Sequence, residues 1–122
     1  MRIYLIILSL AACCFSCSTE TKDYRAFTTN TKLYTQTVFE LNRVVMHDNF
    51  TPPVANRNYT YANIAAYECI AAGYPEEFQS LSGQLNGLKP MPQPENTKSI
   101  DFEFAAVLAF CKVGVELTFS ES

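Results

Sequence analysis

Five side chains in this 122-residue sequence combine a chemically capable type with a place in or beside a patterned apolar segment: His47, Arg57, Glu68, Cys69 and Cys111. His47 is the only histidine and stands beside Asp48. A metal centre would need further ligands at helical or hairpin spacing. None is so placed, and the expectation is a histidine whose cationic form faces a helix C-terminus. Glu68 sits in an apolar stretch, a setting that can raise a carboxyl pKa as in a general acid; a buried hydrogen-bond acceptor is the plainer expectation. Arg57 stands one turn before Tyr61. Its five donors could bind an anion, and a clamp between helices is the expected use. Cys69 and Cys111 lie in apolar segments, which predicts two buried thiols, with a disulfide between their helices as the alternative in an oxidising compartment. There is no Gly-rich phosphate loop, GxSxG, HExxH or evident carboxylate pair. These residues by themselves nominate no catalytic set, no metal site and no cofactor.

The elements that must position them are helical. From Pro52 to Gly73, Tyr59, Ala62, Ala66, Cys69 and Gly73 recur at the spacing of one helix face. Thr51 is placed to cap this helix, Pro52 and Pro53 fit its first turn, and Gly73 is expected to end it in a left-handed conformation. Small residues on the stripe invite close approach of a second helix, while the tyrosines bring area and a hydroxyl that needs a partner. Before it, Leu33, Val38, Leu41, Val44, Val45 and Met46 predict a helix from Lys32 to about Asp48, with Glu40 and Arg43 paired on its outer side. The short connector through Thr51 implies antiparallel neighbours. After it, Glu76 to Leu85 reads as a short helix, and Asn86 to Asn96, with Pro90, Pro92 and Pro94, as an extended loop. Ser99 is expected to cap a last helix with Asp101 and Glu103 in its first turn. The run from Phe104 to Cys111 in that helix is apolar all round and predicts burial on most sides. The fold class is therefore all-α, a partial helical bundle of about three long helices and one short behind an N-terminal signal helix.

The chain opens with Met1-Arg2 and an apolar run from Ile3 to Leu10 that ends in small residues, the form of an export signal. It is shorter than the roughly 20 residues a spanning helix needs. A cysteine after small residues at such a place resembles a bacterial lipobox. Cys17 is the favoured site of lipidation and Cys13 the alternative; an ordinary cleaved signal that discards both cysteines is the other outcome. Cys14 and Cys17 have CxxC spacing, but a redox pair needs a folded βαβ context that a leader lacks. Residues 1–17 are thus the signal, 18–31 a flexible tether rich in Thr, Ser and charge, and 32–122 the helical segment. Export predicts a place in the cell envelope, on the outer membrane, with the membrane a partner through the lipid. A net charge of −3 gives no basic excess for nucleic acid. Asn49 and Asn58 sit in glycosylation sequons, a pattern without consequence behind a bacterial-type leader.

The run Pro52-Pro53-Val54-Ala55-Asn56-Arg57-Asn58-Tyr59-Thr60-Tyr61, followed by Ala65-Ala66-Tyr67-Glu68, resembles the N-terminal region of a lipoprotein branch of the vanadium-dependent haloperoxidase and type 2 phosphatidic acid phosphatase superfamily, of the kind found in Bacteroidetes-like bacteria. The resemblance extends over about residues 32–122, through Phe119-Ser120-Glu121, and its signature falls on Pro52, Pro53, Arg57, Tyr59, Tyr61, Tyr67 and Glu68. It implies an all-helical fold and, in full-length relatives, a site of one Lys, two Arg and two His that binds phosphate or vanadate. This sequence has no Arg after Arg57 and no His after His47, and Lys89, Lys98 and Lys112 stand alone. An oxyanion needs several converging cationic donors.

The expectation is a segment equivalent to the non-catalytic front of such an enzyme, truncated before the catalytic motifs. Relatives would hydrolyse phosphoesters or, with vanadate, oxidise halides; this chain alone is expected to do neither and to need no cofactor. Its partner would be the missing C-terminal catalytic bundle, leaving apolar surface on Phe102, Phe104, Val107 and Phe110. The alternative is a complete small helical lipoprotein that binds another protein at the outer membrane.

Overall fold

The structure is a computed structural model that describes residues 25–95 and 99–118. The signal, Cys13, Cys17, the first part of the tether and residues 119–122 lie outside the described residues. The described chain is all-α: a helical turn α1 (Arg25–Thr28) and three long helices, α2 (Thr31–His47), α3 (Pro52–Gly73) and α4 (Phe102–Leu117). The short helix is thus at 25–28, in the stretch assigned to the tether, and not at 76–85.

Each helix starts for a local reason. Asn30 holds extended backbone before α2, and its Oδ1 accepts the Lys32 amide at 3.0 Å. Thr51 occupies the N-cap position of α3, but its hydroxyl caps nothing; prolines at the first two positions begin the helix where a missing N–H is no loss. At α4 the cap is Asp101, whose Oδ1 accepts the Phe104 amide at 2.9 Å, and Glu103 lies in the first turn. Ser99 stands outside the helix, contrary to expectation. A carboxylate at Asp101 provides both the acceptor and the charge that a helix N-terminus favours.

Gly73 does not end α3 in the left-handed region. It lies inside the helix, Tyr74 follows as the cap, and the positive-φ glycines are Gly83 and Gly87. The reason for a glycine at 73 is the N-terminus of α4: a Cβ there would fall 2.6 Å from Cβ of Phe102 and closer still to its ring. At the other end of the pair, Tyr61 and Ile64 line one groove with Val113, so α3 and α4 run antiparallel.

Between these helices residues 76–85 form turns instead of the expected helix. The Tyr74 carbonyl accepts the amides of Glu77 and Phe78, and the Leu81 carbonyl those of Gln84 and Leu85. Pro75 at the start and Gly83 at φ +80° keep the turns from joining into a helix. The segment through Pro90, Pro92 and Pro94 is free of regular structure up to residue 95, as expected.

The core is the meeting line of the three helices: Leu41 and Val45 from α2, Ala62 and Ala66 from α3, Ala106 and Phe110 from α4. Phe110 is 1% exposed, and truncating a ring so buried costs about 3–5 kcal/mol. Tyr34 of α2 meets it edge to face, with centroids 5.5 Å apart. Small residues keep the helices close: Ala62 faces the core fully buried, and a Cβ on Gly114 would touch Leu41 at 3.5 Å. Two reciprocal hydrogen bonds join α2 to α3, the Tyr34 hydroxyl to Asn63 Oδ1 and the Tyr59 hydroxyl to Asn42 Oδ1, each 2.8 Å. Their order along the two helices is opposite, which makes this pair antiparallel as well.

Candidate functional site

α3 carries every residue of the Pro-Pro to Glu68 signature, and the structure gives most of them a task within the fold. Glu68 is 3% exposed. One carboxylate oxygen accepts the Ser80 hydroxyl and the other the Leu81 amide, both at 2.7 Å. The expected buried acceptor is therefore found, and its partners come from the loop after α3. One helical residue earlier, the Tyr67 hydroxyl donates to the Gln79 carbonyl at 2.9 Å, while its ring meets Phe78 edge to face. Tyr67 and Glu68 thus fix residues 78–81 along the side of α3. Ser80 Oγ also accepts the Ser82 amide at 3.0 Å, which tightens the turn that the carboxylate holds.

The other signature residues divide. Pro52 and Pro53 start the helix, Tyr59 reaches Asn42 of α2, and Tyr61 is half exposed. Arg57 is exposed and forms no salt bridge among the described residues, so the predicted clamp between helices is not made. Its neighbour Asn58 is buried, with Nδ2 lacking a hydrogen-bond partner among the described residues. The Glu40–Arg43 pair forms as expected at 3.0 Å on the exposed side of α2. His47 sits at the end of α2 with Nδ1 3.2 Å from Asp48 Oδ1.

The two cysteines of the helical segment are free thiols, Cys69 half-buried and Cys111 exposed. Two buried thiols were expected; Cys69 is only half-buried, and Cys111 is exposed because it falls on the outer side of α4, away from Phe110. Burial pushes the Cys69 thiol above its ordinary pKa, and the adjacent Glu68 charge adds to the effect. The Tyr74 hydroxyl donates to Glu103 Oε1 at 2.9 Å, which raises its own pKa.

α4 is not buried on most sides. Ala106, Phe110 and Gly114 form its covered side, whereas Phe104, Leu108 and Val115 are 50%, 48% and 61% exposed. Of the four residues expected to carry open apolar surface, Phe104 does so, Phe102 and Val107 are half-buried, and Phe110 is in the core. A helix apolar all round in a three-helix assembly has too few neighbours to cover it, and the side away from α2 and α3 stays open.

Asn42, Asn63, Ser80 and Gln79, which complete the polar ties, carried no sequence signal of their own beyond the need of each tyrosine hydroxyl and of Glu68 for a partner. Among the described residues no group of three or more His, Cys, Asp or Glu could hold a metal ion, and no helix is long and apolar enough to cross a membrane. In comparisons with protein families, curated proteins and solved structures, nothing matches the chain.

Proposed function

We propose that this chain is a non-catalytic helical segment of an exported, lipid-anchored envelope protein of the phosphatidic acid phosphatase and vanadium-dependent haloperoxidase kind that its central run resembles. Its task in this reading is to pack beside a catalytic helical bundle that carries the Lys, Arg and His set. The observation that carries it is the outer side of α4, where Phe104, Leu108 and Val115 stand open on a helix otherwise engaged with α2 and α3. Contiguous apolar surface of this kind marks an interaction site. Phosphate or vanadate would bind the whole enzyme and not this segment.

The experiment is the intact mass of the native product, with the genomic sequence read past the codon for Ser122. A longer product whose continuation brings the cationic set supports the reading, and phosphatase and bromide-oxidation assays on the whole protein then follow. A product ending at Ser122, with no adjoining frame that supplies those residues, overturns it.

A second reading, a complete small helical lipoprotein that binds another protein at the outer membrane, is favoured by the ties that close the fold on itself: Tyr34 to Asn63, Tyr59 to Asn42, and Glu68 to Ser80 and Leu81. It predicts cooperative melting of the mature chain as a monomer without aggregation. A sticky chain that lacks a sharp transition is the outcome against it.

A further inference from the structure

Asn86-Gly87 is the only Asn-Gly pair in the sequence, and the fold itself requires the glycine. The Leu88 amide donates to the Leu85 carbonyl at 3.2 Å, closing a turn whose third residue, Gly87, has φ +85°. Asn86, the second residue, has no positive φ. This is the pattern of a type II turn, which takes glycine at its third place because L side chains rarely adopt that angle. Asn86 is thus followed by the one residue type that puts no side chain between its amide and the next backbone nitrogen.

Both groups that would react are also unengaged. Among the described residues the Gly87 N–H makes no hydrogen bond, and neither does the Asn86 side chain. Both residues are exposed, and a Cβ on Gly87 would meet nothing within 4 Å, so there is space for a ring to close between them. Other asparagines are held differently. Asn30 and Asn49 spend their side chains on nearby backbone, and Asn56 and Asn58 lie inside α3, where the following amide serves the helix.

We propose that Asn86 is a self-modifying site with water as its co-reactant. The Gly87 nitrogen, on losing its proton, attacks Cγ of Asn86. A C–N bond forms, the Cγ–Nδ2 bond breaks, and Nδ2 leaves as ammonia with that proton, so that a cyclic imide remains. Water then adds to one of the two imide carbonyl carbons, and the bond from that carbon to nitrogen breaks. Release at Cγ gives an ordinary aspartate; release at the main-chain carbonyl gives a β-linked aspartate, with one more carbon in the backbone. No electrons are transferred. Either product carries a carboxylate in place of a neutral amide, on the groove that Glu68 also lines, and the β-linked one lengthens the turn that Leu85 and Leu88 close. The loop beyond the Ser80 and Leu81 tie therefore changes irreversibly with time, from a neutral closed turn to a charged open one. The site is independent of the proposed docking of α4, whose open residues Phe104, Leu108 and Val115 do not line this groove.

The test follows the native chain, freshly purified and kept folded at pH 7 and at pH 8, by peptide mapping with fragmentation that tells the two linkages apart. The peptide holding Asn86 should gain the mass by which OH exceeds NH2, severalfold faster at pH 8, with β-linked product present and Asn49 and Asn56 unchanged over the same period. Asn86→Gln should lose the conversion, because its longer side chain must close a larger ring. In the β-linked chains the amide signal of Leu88 should shift in a nitrogen–proton correlation spectrum, while that of Leu81, held by Glu68, stays in place. Three results would overturn the proposal: Asn86 unchanged in the folded chain while it converts in urea, Asn49 converting as fast as Asn86, or a Leu88 signal unmoved in the β-linked chains.

Discussion

Gly73 and Phe102 meet where α3 ends and α4 begins, with no room between them for a methyl group: a Cβ on Gly73 would stand 2.6 Å from Phe102 Cβ. Gly73→Ala sets two effects against each other. Replacing a helical glycine by alanine gains at most about 1 kcal/mol, and less at the last helical position, while forcing an atom into a closed contact costs about 1–3 kcal/mol. The overlap involves the root of the Phe102 side chain, which cannot swing aside, so the cost wins. Urea unfolding should show Gly73→Ala less stable than the parent, and the same substitution should cost less in a Phe102→Gly background, where the clashing Cβ is absent.

Glu68→Gln keeps the size of the side chain but can no longer accept from both Ser80 and Leu81. Hydrogen bonds to a charged group are worth about 1.5–3 kcal/mol, and an unpaired buried donor costs a similar amount. The expected result is a loss of about 1–3 kcal/mol with an unchanged denaturant slope. Hydrogen exchange gives the local signature: the Leu81 amide should lose protection far more than amides in the middle of α2.

The two free thiols should differ in reactivity. Cys111 is exposed, whereas burial and the charge of Glu68 hold the Cys69 thiol up and leave less thiolate at a given pH. A time course with iodoacetamide at pH 8, followed by mass spectrometry of the peptides, should show Cys111 alkylated first and Cys69 lagging at least severalfold. Equal rates would mean that α3 opens at Cys69 on the timescale of labelling.

Stability should fall at high pH for a reason visible in two tyrosines. Burial raises Tyr34, and the bond to Glu103 raises Tyr74. In each case the folded state holds the phenolic proton more tightly than the unfolded one. The contribution is therefore complete below the unfolded pKa of about 10 and is lost as pH rises through the higher folded value. Tyr74→Phe should flatten part of this alkaline decline, read from melting temperatures between pH 8 and pH 11.

Phe104→Lys and Leu108→Lys change side chains that are about half exposed, so each should cost about 1 kcal/mol or less. If α4 packs on a catalytic bundle as proposed, that association should fail in the double variant. Sedimentation of the parent and the variant with the proposed bundle is the measurement, and unchanged association would count against α4 as its docking face.

The helices were legible because their patterns are local. Leu33 to Met46 and the stripe from Tyr59 to Gly73 carry helical spacing that nothing later overrides, and α2 and α3 begin and end within a residue of expectation. The misreadings share a different cause. Gly73 has the placement of a helix terminator, and only the arrival of Phe102 from a distant part of the chain shows why it is a glycine. Glu76 to Leu85 has composition compatible with a helix, yet its backbone amide at Leu81 is claimed by a carboxylate 13 residues earlier. Ser99 and Asp101 are both good caps, and the choice between them depends on where α4 docks. At the site level, Glu68 was readable as a buried acceptor because an apolar stretch leaves few other fates for a carboxylate. Arg57 was not readable, since whether an arginine near a helix start finds a partner depends on what the other helices present there.

The Glu68 tie also alters what a cut chain would do. It holds residues 80 and 81 against α3, so the connection from Tyr74 to Asp101 behaves as two shorter loops, each with its own closure entropy. The second of them contains exposed Pro90 and Pro92, and its described part up to residue 95 is in no helix. A protease acting there would leave one fragment with α2, α3 and its pinned turn, and another with α4, joined through Leu41, Ala66, Ala106 and Phe110. The fold is in this sense divisible: two separately made pieces should find each other and reassemble, with the break placed around Pro90 and Pro92, where no backbone hydrogen bond to a helix is made among the described residues.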